Sequence, residues 1–300
     1  MEALERGFTC HHLWRVADDG RDAFLDRVAP RVRGAVTNGA VGMSGTLMRR
    51  LPELEIVAVF GVGVDAVDLA AARQQGVQVT NTPDVLTDDV ADLAMALILA
   101  AARRICALDR FVRAGEWEKG KDLLAPPSLR GKTVGIFGFG RIGRAVARRL
   151  APFGVHLRYF QPRPVDDAAV PRAASLEALA NESDYLVVCA AATEQTRGAI
   201  GSEALAALGP SGVLVNVARG AIVDEPALLH ALRSGELGGA ALDVFADEPH
   251  VPPELLELDS VTLTPHVASM TVETRDAMGR LVVENLAAHF AGEPLPSAVG

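Results

Sequence analysis

The chain has 300 residues, of which 49% are hydrophobic and 22% are charged, and its formal net charge is −9. This length allows two domains with sizeable cores, and the negative charge provides no basic surface field for nucleic acid or an anionic membrane. The most apolar stretch, residues 91–102, contains Asp92 and ends at Arg103 and Arg104, so it is too short and too interrupted to cross a bilayer.

The N-terminal segment, MEALERGFTCHHLW, has no apolar run of the kind found in signal peptides. We therefore expect a cytoplasmic protein. The cysteines are odd in number, widely spaced and without a C-x-x-C pattern, which indicates buried thiols rather than disulfides or a thiolate metal site; they are Cys10, Cys106 and Cys189.

Short strand-like runs alternate with helical patterns in the first part of the chain, which is typical of a parallel sheet built from βαβ units. The predicted strands are FTCHHLW, VRGAVTN, LEIVAVFG and VQVTN. His11 and His12 would point to opposite faces of the first strand, so we do not expect them to share a metal ion. Four more histidines lack a partner at metal-ligand spacing, and we predict no metal site; they are His156, His230, His250 and His289.

A long helical segment from Asp88 to about Ala114 follows, and then the stretch GEWEKGKDLLAPPSLRGK, whose glycine, proline and lysine content indicates a linker. From Lys132 the alternation resumes with apolar runs that predict a second parallel sheet: TVGIFGFG, VHLRYF, YLVVCAAA, GVLVNVA, GGAALDVF and VTLTPH. Residues 272–291 are again helical by period, and we expect this helix to return to the first domain.

The run Gly138-Phe139-Gly140-Arg141-Ile142-Gly143 matches G-x-G-x-x-G between the strand KTVGIF and the helical RAVARRLAPFG. In that context, backbone N–H groups at the helix N-terminus can face a pyrophosphate. Gly138 would permit the tight turn, Gly140 the approach of the phosphates, and Gly143 close packing of the helix on the strand. The alternative is a tight turn that binds nothing.

The next predicted strand ends at RYFQPRP, where a dinucleotide site commonly has an acid that binds the ribose 2'-hydroxyl of NAD. Gln161 removes the repulsion of a 2'-phosphate, and Arg163, with Arg141 or Arg158 as helpers, offers a guanidinium to bind it. This favours NADP(H) as the cofactor. The alternative is that Arg163 is a solvated loop residue and that NAD(H) binds through its other contacts.

Three further segments follow successive strands: NVARGAIVDE, ALDVFADEP and TPHVAS. The carboxyl ends of parallel strands meet at one edge of a sheet, so Arg219, Glu248 and His266 can converge although they are far apart in the sequence. A guanidinium can bind a carboxylate or polarise a carbonyl, a histidine can transfer a proton, and a carboxylate can orient and charge the imidazole. Singly, the arginine is as well explained by a surface salt bridge, and DEP by an ordinary loop.

These segments, together with FGVGVDAVDLAAARQQGVQVTNTPDVLTDDVADLAMALIL, closely resemble the D-isomer-specific 2-hydroxyacid dehydrogenase family from about residue 7 to the end. The resemblance is nearest to the glyoxylate, hydroxypyruvate and hydroxyphenylpyruvate reductases, many of which prefer NADPH. It implies an α/β fold of two doubly wound parallel-sheet domains: a Rossmann cofactor domain over residues 91–270 and a flavodoxin-like substrate domain over residues 1–90 and 271–300. It also implies a homodimer joined around Asp88 to Leu124.

The resemblance also implies roles for single residues at the substrate. Arg219 would bind the carboxylate and carbonyl of the substrate, His266 would be the general acid and base, and Glu248 would be the partner of His266. The backbone of Val62 and Gly63, in FGVGVD, would hold the substrate carboxylate from the other domain, where glycine allows close approach.

Further residues are implied to contact the cofactor. Asp243 matches a family residue near the nicotinamide carboxamide, with a helix or loop cap as the alternative. The full set of implied cofactor contacts is Gly138, Gly140, Arg141, Ile142, Gly143, Gln161, Arg163, Thr196, Val217, Ala218, Asp243 and His266.

The start of the chain departs from the family pattern. Family members usually begin with a further strand and loop before the helix that leads into a segment like FTCHHLW, whereas Met1 falls inside that helix. We therefore expect the flavodoxin-like domain to lack its first strand, either because this start lies downstream of the natural one or because the sheet is shortened.

The predicted function is NADPH-preferring reduction of a small 2-oxo acid, such as glyoxylate or hydroxypyruvate, to the D-2-hydroxy acid. The expected pocket loops, TNGAVGM and TPDVLTDD, contain nothing that separates a hydroxymethyl from an aryl side chain. The alternative is a nucleotide-sensing binding protein, of corepressor type, on the same fold. Formate oxidation is disfavoured because family members that perform it have Gln where this chain has Glu248.

Overall fold

The structure is a computed structural model that describes residues 2–122, 125–165 and 169–299. The chain divides into a first unit, Met1–Leu86 with Thr271–Gly300, and a second unit, Thr87–Met270. The strands of the described residues, numbered in chain order, are β1 (Gly34–Asn38), β2 (Ile56–Phe60), β3 (Gln78–Thr80), β4 (Thr133–Phe137), β5 (His156–Phe160), β6 (Tyr185–Val188), β7 (Val213–Asn216), β8 (Gly239–Leu242) and β9 (Val261–Leu263).

The α-helices of the described residues are numbered in the same way. They are α1 (Glu2–Gly7), α2 (Arg21–Val28), α3 (Gly45–Arg49), α4 (Leu69–Gln75), α5 (Thr87–Ala102), α6 (Ile105–Arg113), α7 (Arg141–Leu150), α8 (Leu176–Asn181), α9 (Ser202–Leu208), α10 (Glu225–Ser234), α11 (Pro253–Leu256) and α12 (Val272–Ala291). No helix in these parts of the chain is long and apolar enough to cross a membrane.

The first unit is built on a parallel sheet of order β1-β2-β3. Successive side chains of a strand point to opposite faces, and β2 shows this directly. Val57 and Val59 belong to one apolar cluster, whereas Ile56 and Ala58 belong to a second cluster that includes Val282 of α12. The predicted helix over residues 272–291 is confirmed as α12, and its apolar side chains cover one face of the sheet.

The predicted strand FTCHHLW is wrong. Residues 8–12 have no regular structure, and Leu13–Arg15 form a single 3-10 turn. A strand needs a hydrogen-bonded neighbour, and this segment pairs with none of the described strands of the unit. The ring of His12 instead lies edge-on against Trp14, with 4.7 Å between the ring centroids. The other three predicted strands are confirmed as β1, β2 and β3.

The second unit contains a parallel sheet of order β5-β4-β6-β7-β8-β9, and the six strands predicted from the sequence are all confirmed. Helices α5 and α7 pack on each other, and α8, α9 and α10 form a second group. Because β5 and β6 lie on opposite sides of β4, the strand order reverses at β4. Ligands of such sheets bind beyond the carboxyl ends of the strands at this reversal, which is where the glycine motif lies.

The long helix predicted from Asp88 to about Ala114 is divided into α5 and α6. The break falls at Arg103 and Arg104, where Arg104 adopts the left-handed conformation with φ of 52°. Neither glycine nor proline marks this break in the sequence. Within the segment that the resemblance assigns to a dimer contact, Leu123 and Leu124 lie outside the described residues.

Candidate active site

The glycine motif forms the turn between β4 and α7. Gly138 has a φ of 92°, and a Cβ there would overlap the backbone of Ala190 beyond β6. A Cβ at Gly143 would overlap the carbonyl oxygen of Gly138, whereas a Cβ at Gly140 would meet nothing within 4 Å. Packing therefore requires the first and last glycines, while Gly140 faces open space.

The N-terminus of α7 has the character of an anion site. Gly140 occupies the N-cap position and has no side chain to accept hydrogen bonds from the first turn. Arg141 is exposed and Ile142 is partly buried at the start of the helix. Uncapped N–H groups at a helix N-terminus attract negative charge, so these residues fit the pyrophosphate of a dinucleotide.

Gln161 ties the glycine turn to the loop that follows β5. Its Oε1 accepts a hydrogen bond from the N–H of Phe139 at 2.9 Å, and its Nε2 donates to the carbonyl oxygen of Arg163 at 2.8 Å. The side chain of Arg163 is exposed. Arg158, considered above as a helper, instead forms an ion pair with Glu182, with 2.8 Å between Nε and Oε2.

Arg172 is a residue of this loop region that the sequence did not suggest. Its Nε and Nη2 donate to the carbonyl oxygen of Gln161 at 3.2 and 3.1 Å, and Nη2 also donates to that of Pro162 at 3.3 Å. Its guanidinium carbon lies 5.4 Å from the centroid of the Phe160 ring. A parallel bridge between Arg172 and Tyr159 brings it there, and no local sequence pattern signals that pairing.

The second part of the site is a histidine–carboxylate pair at the ends of β8 and β9. Nδ1 of His266 lies 2.6 Å from Oε2 of Glu248. Oε1 of Glu248 accepts a hydrogen bond from the N–H of Phe245 at 3.1 Å. With Nδ1 bonded to the carboxylate, the second ring nitrogen, Nε2, is the one available for proton transfer.

The carboxyl group of Glu248 has a lowered pKa. Partial burial opposes its ionisation, but hydrogen bonds from His266 and from the N–H of Phe245 outweigh that effect, and the charges of His266 and Arg219 add to them. Glu248 is therefore an anion at neutral pH.

Arg219 lies at the end of β7, and its positive charge acts on the carboxylate of Glu248. Asn216 shapes the turn: its Nδ2 donates to the carbonyl oxygen of Arg219 at 2.9 Å, and its Oδ1 accepts from the N–H of Ala218 at 3.0 Å. A Cβ at Gly220 would overlap the carbonyl group of Phe245, so the turn packs directly on the segment that carries Glu248. The structure thus brings Arg219, Glu248 and His266 together.

Asp243 holds the loop of His266. It is fully buried, and its carboxylate accepts hydrogen bonds from Oγ1 of Thr264 at 2.6 Å, the N–H of Val267 at 2.9 Å and the N–H of Ala268 at 3.0 Å. Through these hydrogen bonds Asp243 caps the loop, which is the alternative role that the sequence analysis gave it. A role beside the nicotinamide stays a prediction.

The remaining predicted residues lie in three turns. Thr196 lies beyond β6, where its Oγ1 donates to the carbonyl oxygen of Ala191 at 2.7 Å. Val217 is buried next to Ala218 at the end of β7. Val62 and Gly63 belong to the first unit, in the loop that follows β2.

The cysteines and the acidic and histidine side chains suggest no metal centre. Among the described residues, no group of three or more His, Cys, Asp or Glu side chains is placed to hold a metal ion. Cys189 is partly buried near the glycine turn, and burial raises the pKa of its thiol to about 12. It is therefore a protonated thiol at neutral pH.

Comparison with known proteins gives a consistent result. Residues 95–268 match the family model described as D-isomer specific 2-hydroxyacid dehydrogenase, NAD binding domain. Glyoxylate/hydroxypyruvate reductase A of Arabidopsis thaliana is 47% identical over 296 residues, which are 99% of this chain and 94% of that protein. Hydroxyphenylpyruvate reductase of Plectranthus scutellarioides is 48% identical over 298 residues, with the same shares covered.

A solved structure is similar in both fold and sequence. It is the NADPH-dependent glyoxylate/hydroxypyruvate reductase of Sinorhizobium meliloti in complex with NADP and malonate. The TM-score is 0.86 and the identity is 44%, over 96% of this chain and 88% of that chain.

Proposed function

Since the chain belongs to the D-isomer-specific 2-hydroxyacid dehydrogenase family, we propose that it reduces small 2-oxo acids to D-2-hydroxy acids with NADPH as the preferred cofactor. The hand of the product follows from the family. The observation that carries the proposal is the His266–Glu248 pair next to Arg219, at the end of the sheet where the glycine turn also lies. The second unit would bind the cofactor and the first unit the substrate.

The residues of this chain supply orientation, charge and a proton. The bound dinucleotide supplies the hydride. Nε2 of His266 donates the proton to the carbonyl oxygen of the substrate, and the Glu248 carboxylate keeps the imidazole protonated and oriented. Arg219 binds the substrate carboxylate and polarises its carbonyl group. We propose that the N–H groups of Val62 and Gly63 also bind the carboxylate.

The preference for NADPH rests on the loop after β5. Neither Gln161 nor the exposed Arg163 repels a 2'-phosphate, and Arg172 fixes the backbone between them. The similar reductase of Sinorhizobium meliloti is described as NADPH-dependent. The other cofactor contacts remain those implied by the resemblance, including Thr196, Val217, Ala218 and Asp243. NAD(H) is a second, weaker cofactor in this proposal.

The substrate class is proposed from the relatives. They are named for glyoxylate, hydroxypyruvate and hydroxyphenylpyruvate, which share the 2-oxo carboxylate and differ only in the side chain. Arg219 and the His266–Glu248 pair address the shared part, so the class is 2-oxo acids. The sensor alternative is not favoured, because these relatives are named as reductases.

We also propose a homodimer in a reducing compartment such as the cytoplasm. Helix α6 has no buried residue, although Ile105, Leu108, Phe111 and Val112 lie on it, and Trp117 just beyond it is 68% exposed. An apolar helix face of this kind suits a second copy of the chain. Cys10, Cys106 and Cys189 are free thiols, as expected in a reducing compartment.

The test of this function is a matrix of initial rates. NADPH and NADH are each combined with glyoxylate, hydroxypyruvate and an aryl pyruvate, and the hand of the product is determined. We expect turnover with at least one acid and a higher kcat/KM with NADPH. Cofactor binding without turnover of any 2-oxo acid would favour the sensor instead.

A further inference from the structure

The loop that follows β2 is held by two residues at the end of β3. The carbonyl oxygen of Gly61 accepts a hydrogen bond from the N–H of Thr82 at 2.9 Å. The carbonyl oxygen of Val62 accepts from Nδ2 of Asn81, also at 2.9 Å. The hydroxyl of Thr82, which is fully buried, accepts from the N–H of Gly61 at 3.0 Å. Two consecutive peptide groups of the loop are thus fixed from one side.

These bonds determine the direction of two N–H groups. In a planar trans peptide group the C=O and N–H point in opposite directions, and the peptide bonds of this loop are trans. Fixing the carbonyl of Gly61 therefore aims the N–H of Val62, and fixing the carbonyl of Val62 aims the N–H of Gly63. Neither N–H donates to a protein acceptor within the described residues, so both point away from β3 and are available to a ligand.

Asn81 is itself held in place by the C-terminal segment. Its carbonyl oxygen accepts from Oγ of Ser297 at 2.7 Å, and its N–H donates to the carbonyl oxygen of Ser297 at 3.3 Å. The hydroxyl of Ser297 accepts from Nδ2 of Asn285 at 2.8 Å, and Asn285 is fully buried in α12. The backbone of Asn81 is therefore fixed, and its side-chain amide is left to bind Val62.

We propose that Asn81 is a positioning residue that aims the N–H of Gly63 at the carboxylate of the 2-oxo acid, while the main chain of Thr82 does the same for the N–H of Val62. This inference rests on the proposed function, because that function gives these N–H groups to the substrate. The contact of Thr82 with the carbonyl of Gly61 involves only main-chain atoms and survives a side-chain substitution. The contact of Asn81 is made by its side chain and can be removed.

The test uses Asn81→Ala and Asn81→Asp in the full-length chain. At neutral pH the aspartate has a similar size but cannot donate a hydrogen bond to the carbonyl oxygen of Val62. We expect the KM for the 2-oxo acid to rise about tenfold in both variants, as for a weakened hydrogen bond to a charged group. The kcat and the KM for NADPH should change less than about twofold, because a carboxylate contact serves the ground state and the transition state alike.

Ser297→Ala is the matched control. It removes the hydroxyl bonded to the carbonyl oxygen of Asn81 but leaves the bond between Nδ2 and Val62 in place. We expect it to lower Tm about as much as Asn81→Ala does, with an unchanged KM for the 2-oxo acid. An equal rise in KM in this control would overturn the inference, because general loosening of the segment would then explain both.

The outcomes separate this inference from the function on which it rests. If the unmodified chain reduces 2-oxo acids and Asn81→Ala leaves the KM unchanged, the positioning role is wrong and the proposed function stands. If the unmodified chain reduces no 2-oxo acid, the proposed function is wrong and the inference falls with it.

Discussion

At the scale of single residues, the backbone of His266 is the least expected feature of the site. Its φ is 52°, a conformation that costs a residue other than glycine about 1–3 kcal/mol. The carboxylate of Asp243 offsets this cost by accepting hydrogen bonds from Val267 and Ala268, and the carbonyl oxygen of Asp243 accepts one from the N–H of His266 at 2.8 Å. The strained loop turns the imidazole toward Glu248.

His266→Gln tests the role of the imidazole in proton transfer. Glutamine keeps polarity and similar length but cannot act as an acid near neutral pH. We expect kcat for reduction to fall by about 10² to 10⁴, while the dissociation constant for NADPH, measured by fluorescence titration, stays within about threefold. A kcat close to that of the unmodified chain would remove His266 from the mechanism.

Glu248→Gln tests the charge of its partner. The lowered pKa of Glu248 keeps it anionic across the working range, and its carboxylate lies 2.6 Å from Nδ1 of His266. Glutamine has the same size but no charge, and its single Oε1 can accept only one of the two hydrogen bonds that Glu248 accepts, so the imidazole should lose its proton at lower pH. We expect the high-pH limb of the reduction rate to move toward acid by about one pH unit.

Glu225→Gln is the control for that pH profile. Oε2 of Glu225 accepts a hydrogen bond from the N–H of Ala246 at 3.2 Å, so this carboxylate lies on the same turn without bonding to His266. We expect no movement of the high-pH limb in this variant. Equal profiles for the Glu248 variant and the unmodified chain would mean that Glu248 is only a loop residue.

The sequence predicts the site residues at the ends of strands, but it does not indicate the residues whose hydrogen bonds hold those strand ends in place. Arg219, Glu248 and His266 were predicted to converge because parallel strands end at one edge. Arg172 and Asn81 are not indicated by the sequence, since each acts on a carbonyl oxygen whose position depends on tertiary packing, whereas Asn216 bonds within its own turn. No local pattern encodes that dependence.

At the scale of elements, the turns after β4 and β5 act as one piece. The side chain of Gln161 bonds to Phe139 in one turn and to Arg163 in the other, and Arg172 holds the second turn from outside. Gln161, which lacks the negative charge common at this position, therefore also has a structural role. The side chain of Arg163 is exposed, and its contact with a 2'-phosphate stays a prediction.

Arg163→Ala should reduce the preference for NADPH. Loss of one guanidinium–phosphate interaction predicts a fall of about tenfold to a hundredfold in the ratio of kcat/KM for NADPH to that for NADH. Arg158→Ala is the control, because Arg158 forms an ion pair with Glu182. The ratio of kcat/KM for NADPH to that for NADH should not change in this variant. If the ratio is unchanged in the Arg163 variant, the loop does not select the cofactor through this residue.

Elements were predicted well where periodicity and pairing agree. The strands of the second unit are apolar runs buried on both faces, so their pattern is clear. FTCHHLW has strand-like composition but no described neighbour with which to pair. The break between α5 and α6 falls where Arg104 adopts the left-handed conformation, and no residue type in the sequence marks that change.

At the scale of the whole molecule, α6 presents an exposed apolar face that packs against no other part of the described chain deeply enough to bury a residue. Ile105 and Val112 are two helical turns apart on the same face, and each is 53% exposed. Exposing apolar side chains to water is unfavourable, whereas burying them against a second copy would stabilise the proposed dimer by roughly 25 cal/mol per Å² of apolar surface.

Val112→Asp should therefore weaken the proposed dimer. Sedimentation velocity at micromolar concentration is expected to give twice the 31.6 kDa chain mass for the unmodified protein and a shift toward the monomer for the variant, because a buried carboxylate without a partner is costly. Leu256→Asp is the control: Leu256 is 63% exposed on α11 and is not part of the apolar face of α6, so the mass of this variant should equal that of the unmodified protein. A monomeric unmodified chain, or a dimer insensitive to Val112→Asp, would show that α6 does not form the contact.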